Sequence, residues 1–128
     1  MAKILVVEDD QFLRELYEEL LKEEGYEVEL ASDGEDGLNK MTAGGFDLVL
    51  LDIMLPKIDG LEILRRLKEK HPEKPNGPVV LLTNLGQDSI IKEGFNLGAS
   101  GYLIKSSMNP DQVISEVKVF LSKSSVPQ

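Results

Sequence analysis

Short apolar runs alternate along the chain with longer amphipathic stretches. Five runs have the length of strands: residues 3–7, 27–31, 48–51, 79–82 and 102–104. Most of them are continuously apolar, which is typical of parallel strands that are buried on both faces. Because these runs are separated by helical stretches of about 10–15 residues, the pattern predicts repeated βαβ units. The pattern therefore predicts a doubly wound α/β fold with a parallel sheet.

The stretches between the strands carry the spacing of helices. We predict helices over residues 11–24, 34–43, 60–70 and 87–97, with a fifth that follows residue 109. Gly25 and Gly44 end the first two, and Asn109 followed by Pro110 is typical of a helix N-terminus.

Helical periodicity also predicts which side chains face the core. In the first helix two apolar rows recur every four residues: Phe12, Leu16, Leu20 and Leu13, Tyr17, Leu21. The third helix has an inner stripe of Leu61, Leu64 and Leu67. In the fifth helix the predicted buried positions are Val113, Ile114, Val117, Val119, Phe120 and Leu121. After Leu121 the polar segment 122–128 has nothing to bury, so we expect a flexible tail or the start of a linker.

Four of the apolar runs stop at a polar residue with useful chemistry. Glu8 and Asp9 follow the first run, while Asp52, Thr83 and Lys105 follow the third, fourth and fifth. Because the carboxyl ends of parallel strands meet at one edge of a sheet, where ligands of such folds bind, we expect these side chains to form a single site.

The carboxylates of this predicted site would repel one another unless a cation joins them. Oxygen ligands of this kind favour a hard divalent ion, Mg²⁺ before softer metals. An alternative for the first pair is helix capping, which Asp9 or Asp10 would provide for the helix that begins near residue 11. Asp52 favours the metal site, because it follows four consecutive apolar residues, where a merely solvated aspartate is uncommon.

A carboxylate in the position of Asp52 can act as a nucleophile toward a phosphoryl group and form an acyl phosphate. Phosphoryl transfer depends mostly on positioning and on neutralisation of charge. Mg²⁺ and the Lys105 ammonium would each hold a phosphoryl oxygen, and the Thr83 hydroxyl would donate to another.

The composition and net charge argue against several classes of function. The 128 residues fit one domain, and 14 Lys plus Arg against 23 Asp plus Glu give a net charge of −9. That charge argues against direct binding of nucleic acid or an anionic membrane surface. Cysteine is absent, no apolar run is long enough to span a bilayer, and the N-terminus does not resemble a signal peptide, so we expect a cytoplasmic protein.

Four motifs together resemble the response regulator receiver domain of bacterial two-component signalling. They lie at residues 4–10, 47–61, 81–83 and 98–105, and the resemblance covers nearly the whole chain. It implies a flavodoxin-like five-stranded sheet of order 2-1-3-4-5 with five helices. Residues 1–121 would form the receiver domain.

The resemblance also implies a role for each site residue. It gives Asp52 as the phosphoacceptor, Glu8 and Asp9 as the Mg²⁺-binding pair, the Met54 carbonyl as a further metal ligand, Thr83 and Lys105 as phosphoryl contacts, and Tyr102 as the switch aromatic. The implied partners are a sensor histidine kinase or phosphotransfer protein, and a downstream protein target or output domain. The signalling surface would comprise the fourth helix, the last strand and the fifth helix, with Ile90, Ile91 and Phe95 as candidate contacts. The sequence leaves homodimerisation on phosphorylation open.

Two departures from the family keep alternatives open. Ser106 follows Lys105 where the family usually has a proline in a cis peptide bond, and Asn84 follows Thr83 where a small residue is usual.

The leading hypothesis is a signalling switch that catalyses its own phosphorylation and slow dephosphorylation and is not a conventional enzyme. A receiver-like binding module that is never phosphorylated is one alternative. A Mg²⁺-dependent phosphohydrolase with an aspartyl nucleophile is another, although no insertion is large enough for a cap over its substrate. A flavin carrier is disfavoured, because Glu8 and Asp9 would repel a phosphate.

Overall fold

The computed structural model describes residues 1–84 and 88–124, and these form a five-stranded parallel sheet between two layers of helices. The strands are β1 (Lys3–Val7), β2 (Glu27–Ala31), β3 (Leu48–Asp52), β4 (Val79–Thr83) and β5 (Gly101–Ile104). The helices are α1 (Gln11–Glu23), α2 (Gly34–Ala43), α3 (Gly60–Glu69), α4 (Asp88–Asn96) and α5 (Pro110–Ser124), and a short 3₁₀ turn covers Lys105–Ser107. The strand order is β2-β1-β3-β4-β5, which confirms the predicted doubly wound topology.

Side-chain capping explains why several helices begin where they do. The carboxylates of Asp10, Asp33 and Asp59 accept hydrogen bonds from backbone N–H groups in the first turns of α1, α2 and α3. At α5, the Asn109 Oδ1 accepts from the Gln112 N–H over 2.9 Å, and the Gln112 Oε1 accepts from the Asn109 N–H over 2.8 Å. This reciprocal pair confirms the predicted start of α5 and satisfies two donors that the helix leaves unpaired.

Alternate residues of the central strands build two separate cores. On one face, Leu5, Val7, Val49, Leu51 and Leu81 pack against α2, α3 and α4. On the other face the intervening residues pack against α1 and α5: Ile4, Val6, Leu48, Leu50, Val80 and Leu82. Because both faces are covered, polar groups in the middle of these strands would lack partners, and the polar residues stand at the strand ends.

The proline-containing loop between α3 and β4 closes the amino edge of the sheet. The Asn76 Nδ2 donates to the carbonyl of Met41 over 3.0 Å, and the Asn76 Oδ1 accepts from the N–H of Phe46 over 3.3 Å. The N–H groups of Glu73 and Lys74 donate to carbonyls at the end of α2. The loop therefore satisfies carbonyls that the helix end leaves unpaired.

Two expectations about burial were wrong. Phe12 is 73% exposed, although its neighbour Leu13 in the first turn of α1 packs against the core. Val119 is 43% exposed, on the outer side of α5. The last helix runs to Ser124, so the first three residues of the predicted tail are helical. Residues 125–128, and the predicted helix residue Gln87, lie outside the described part of the chain.

Candidate functional site

The carboxyl edge of the sheet brings the predicted site residues together. Glu8 follows β1 directly, Asp52 and Thr83 are the last residues of β3 and β4, and Lys105 follows β5. Glu8 is fully buried, Asp52 is 2% exposed and Thr83 is 7% exposed. These are the polar side chains buried among the described residues, so the burial of polar groups is concentrated at this edge.

Three carboxylates at this edge are close enough to share one cation. Glu8, Asp9 and Asp52 each offer an oxygen, and the three oxygens lie within 4.8 Å of one another. Glu8 and Asp52 are buried, whereas Asp9 is exposed. The group of three carboxylates is therefore open to solvent on the side of Asp9. Such an arrangement suits a hard divalent cation, which usually keeps some of its bound water. The acidic cluster can therefore bind a metal ion.

Helix capping, the alternative for the first acidic pair, is carried out by the neighbouring residue. The Asp10 Oδ1 accepts from the N–H of Leu13 over 3.0 Å at the start of α1. The Asp10 N–H in turn donates to the Glu8 Oε2 over 3.0 Å. Asp10 therefore caps α1, and Glu8 and Asp9 remain in the acidic cluster.

Lys105 bridges the two buried carboxylates. Its Nζ lies 2.8 Å from the Glu8 Oε1 and 2.9 Å from the Asp52 Oδ2, and its side chain is 8% exposed. Burial opposes the charge of Lys105, but the hydrogen bonds with Glu8 and Asp52 outweigh it, so the pKa of Lys105 is raised. The ammonium is therefore a fixed positive charge beside Asp52.

Glu8 carries a strongly shifted pKa. Its pKa is raised to about 7, mainly because burial penalises the charged form. The carboxylate of Asp52 adds to this shift, while Lys105 and the N–H of Asp10 oppose it. One lysine therefore does not fully compensate two buried carboxylates, and a divalent cation would favour the charged form of Glu8.

Asp52 is held from two sides. Its Oδ1 accepts from the backbone N–H of Met54 over 3.1 Å, and its Oδ2 accepts from Lys105. The Met54 side chain itself is 67% exposed, so at this position the backbone faces Asp52. These contacts orient the carboxylate at the end of β3.

The two residues that depart from the family pattern contact each other. The Ser106 Oγ donates to the backbone carbonyl of Asn84 over 2.7 Å, and both residues are exposed. Among the described residues no peptide bond is cis, so the bond between Lys105 and Ser106 is trans. Lys105 reaches both carboxylates with this trans bond.

Tyr102 lies on β5 with its ring packed against α4. Its ring contacts that of Phe95 edge to face, with 6.2 Å between the centroids, and the two side chains are 40% and 44% exposed. Ile90 packs against the core on the α4 side, and Ile91 is half-buried. Of the three candidate contacts on α4, Phe95 is the one that is exposed.

Arg14 is a site residue that the sequence did not single out. Its Nη1 donates to the carbonyls of Glu8 and Asp9 over 2.9 and 3.3 Å. The guanidinium thus holds the backbone of the acidic loop from the first helical turns of α1. Within the charged face of that helix nothing in the sequence distinguishes Arg14 from its neighbours.

Comparison with known families agrees with this arrangement. A family model described as the response regulator receiver domain matches residues 4–118. The chain belongs to the response regulator receiver family. Curated relatives include the transcriptional regulatory protein DltR of Streptococcus agalactiae, 40% identical over 124 residues, with 97% of this chain and 54% of DltR covered. The chain spans about half the length of the curated relatives it matches.

Solved receiver domains have the same fold. The CheY-like receiver domain protein of Methanospirillum hungatei superposes with a TM-score of 0.84 at 30% identity, covering 97% of this chain and 96% of that chain. The BeF3-activated receiver domain of DrrB, from Thermotoga maritima, superposes with a TM-score of 0.78 at 39% identity, covering 95% and 98%. In the part of the chain that the structure describes, no helix is long and apolar enough to cross a membrane.

Proposed function

We propose that this receiver domain is a phosphorylation-dependent switch in which Asp52 accepts a phosphoryl group from a phosphohistidine. The observation that carries the proposal is the buried Asp52 carboxylate with Lys105 at 2.9 Å and two further carboxylates within metal-binding distance. A carboxylate oxygen of Asp52 would attack phosphorus, an O–P bond would form, and the N–P bond to the donor imidazole would break. The released imidazole nitrogen takes up a proton.

Mg²⁺ is the cation that the donor set favours. Glu8, Asp9 and Asp52 would hold it, and the Met54 carbonyl is a further proposed ligand. When bound, the ion supplies positive charge that neutralises the oxygens of the phosphoryl group. The raised pKa of Glu8 supports this assignment, because a buried carboxyl among like charges binds a divalent cation in exchange for its proton.

Lys105 and Thr83 are the proposed contacts of the phosphoryl group. Lys105 would move from Asp52 to a phosphoryl oxygen while it keeps its bond to Glu8. The Thr83 hydroxyl, at the end of the neighbouring strand, would donate to another oxygen. Positioned donors of this kind provide most of the catalysis that phosphoryl transfer requires.

The switch would be read on the surface formed by α4, β5 and α5. A new dianion at Asp52 draws Thr83 toward it and leaves space for an aromatic ring, for which Tyr102 is the candidate. The proposed upstream partner is a sensor histidine kinase or a phosphotransfer protein. A downstream protein target or an output domain would read the surface, and homodimerisation is one form that this readout can take.

Intact-mass spectrometry tests the phosphoacceptor directly. The protein is incubated with Mg²⁺ and acetyl phosphate, a small acyl-phosphate donor, and Asp52→Asn and Asp47→Asn are treated in parallel. Asp47 is a matched control, because it directly precedes β3, at the end away from Asp52, and accepts from the N–H of Lys3 over 2.7 Å. We expect one hydroxylamine-labile phosphoryl adduct on the wild type and on Asp47→Asn, and none on Asp52→Asn.

Other outcomes separate the alternatives. An unmodified wild type at high donor concentration would favour a binding module that is never phosphorylated. Rapid, repeated release of inorganic phosphate from small phosphate esters would favour a phosphohydrolase. BeF3, the ligand described for the activated DrrB receiver domain, provides a second probe, because as a tetrahedral phosphoryl analogue it should shift the resonances of Thr83 and Lys105 in the presence of Mg²⁺.

A further inference from the structure

A side-chain hydrogen bond joins the residue that follows β4 to the turn that follows β5. The Ser106 hydroxyl donates to the Asn84 carbonyl over 2.7 Å. Ser106 directly follows Lys105, and Asn84 directly follows Thr83. The bond therefore connects the immediate neighbours of the two residues that would contact the phosphoryl group.

We propose that Ser106 is a positioning residue, whose hydroxyl fixes the relative placement of Thr83 and Lys105 for phosphoryl transfer to Asp52. The inference rests on the proposed function and adds to it a residue that does not itself touch the reacting atoms. Phosphoryl transfer is sensitive to such placement, because its catalysis consists largely of holding charged and donor groups in position.

The sheet places Thr83, but its pairing does not extend to Lys105. The pairing of β4 with β5 ends at Thr83 and Ile104, one residue before Lys105. Beyond that pair the chain enters the 3₁₀ turn Lys105–Ser107 after β5 and reaches Asn84 after β4. The Ser106 bond extends the connection between the two strands past the end of the ladder, to the point where the site residues project.

The neighbouring serine provides a contrast. The Ser107 Oγ donates to the carbonyl of Ile104 over 3.2 Å, so its bond stays within its own turn and does not reach β4. The family usually has proline at the position of Ser106, and a proline has no hydroxyl to donate. This chain therefore has the Ser106–Asn84 hydrogen bond at the position where the family usually has the rigid ring of proline.

The test compares phosphorylation rates of four variants of the full chain. Ser106→Ala and Ser106→Val remove the hydroxyl, Ser106→Thr keeps it at the same volume as valine, and Ser107→Ala is the matched control. Acetyl phosphate is varied at saturating Mg²⁺, and the maximum rate, the half-saturating donor concentration and the Mg²⁺ dissociation constant are measured.

We expect the maximum rate to fall by about twofold to tenfold in Ser106→Ala and Ser106→Val, the range that one hydrogen bond spans. The half-saturating donor concentration and the Mg²⁺ dissociation constant should stay unchanged, since the metal carboxylates keep their contacts. Ser106→Thr should restore the rate, and Ser107→Ala should match the wild type. A merely structural role would instead lower thermal stability and Mg²⁺ binding together.

Contrary results have distinct meanings. If the wild type is phosphorylated and Ser106→Ala reacts at the same rate, the inference is wrong while the proposed function stands. The same holds if Ser106→Thr is as slow as Ser106→Val, or if Ser107→Ala slows the reaction equally. A wild type that is never phosphorylated would overturn the proposed function and this inference with it.

Discussion

At the carboxyl edge of the sheet the chain buries Glu8 and Asp52 around one lysine, whereas at the amino edge it closes a loop with the neutral amide of Asn76. The first arrangement leaves a carboxyl with a pKa raised to about 7. The second satisfies a backbone carbonyl and a backbone N–H without burying any charge. The comparison indicates that the carboxyl edge buries charged groups that reduce stability, whereas the amino edge uses neutral hydrogen bonds that increase stability.

Among the changes that test this comparison, removal of Lys105 should have the largest effect on stability. Lys105→Met leaves two buried carboxylates without their cation, so we expect the free energy of unfolding to fall by about 3 kcal/mol in Mg²⁺-free buffer. Urea denaturation at pH 7.5 measures this change. Lys118→Met is the matched control, because the Lys118 Nζ lies 2.7 Å from Glu24 in an exposed pair; there we expect a much smaller loss. Equal losses in the two variants would contradict the distinction between the edges.

The pH dependence of stability tests the same burial. In the native state Glu8 holds a proton up to about pH 7, whereas in the unfolded chain it releases that proton near its ordinary value of 4.5. Relative to Glu8→Gln, the metal-free wild type should therefore lose stability as the pH rises from 4.5 to 7, by on the order of 2 kcal/mol. Urea denaturation of both proteins across this window measures the difference. A difference that is flat, or that increases with pH, would show that Glu8 is not penalised by its burial.

At the amino edge, truncation of the amide should affect stability without affecting function. Asn76→Ala removes two hydrogen bonds to backbone groups, so we expect a loss of about 1.5 kcal/mol in the free energy of unfolding. The rate of phosphorylation by acetyl phosphate should not change. Asn39→Ala, at an exposed position of α2, serves as control and should stay within about 0.5 kcal/mol of the wild type. A slower phosphorylation of Asn76→Ala would show that the two edges are coupled.

The smallest expected effect concerns a strained residue near the site. Lys57, in the loop between β3 and α3, has a φ of 71°, in the left-handed region that favours glycine. Its Nζ lies 3.4 Å from the Asp33 carboxylate in a partly exposed pair. Lys57→Gly and Lys57→Ala both lose this pair, but only glycine relieves the backbone, so we expect Lys57→Gly to be the more stable by about 1 kcal/mol. If the two variants have the same melting temperature, the loop is not strained.

The sequence predicted most of the fold because its local signals agree with one another. Apolar runs located all five strands, and helix-capping residues located the start of α5. Periodicity failed at Phe12 and Val119, which have the spacing of the buried row but face solvent. Spacing along a helix shows which side chains share a face, but it does not show how far the opposing layer extends.

The candidate site was predictable to the level of residue identity but not of contacts. Polar residues at successive strand ends indicated one site, because parallel strands bring their carboxyl ends to one edge. The contacts of Arg14, Asn76 and Ser106 were not predictable, since each side chain binds a backbone carbonyl, and every residue has a carbonyl whatever its side chain.

Patterns along the chain were sufficient to predict the succession of strands and helices and the residues that meet at the carboxyl edge. The folded chain was needed to show that Lys105 binds Glu8 and Asp52 at once, that Asp10 caps α1 while Asp9 joins the acidic cluster, and that Ser106 binds the Asn84 carbonyl. This is because local patterns fix backbone conformation and burial within an element. The partners of a polar group depend on distances between elements far apart in the chain, and those distances are set by packing.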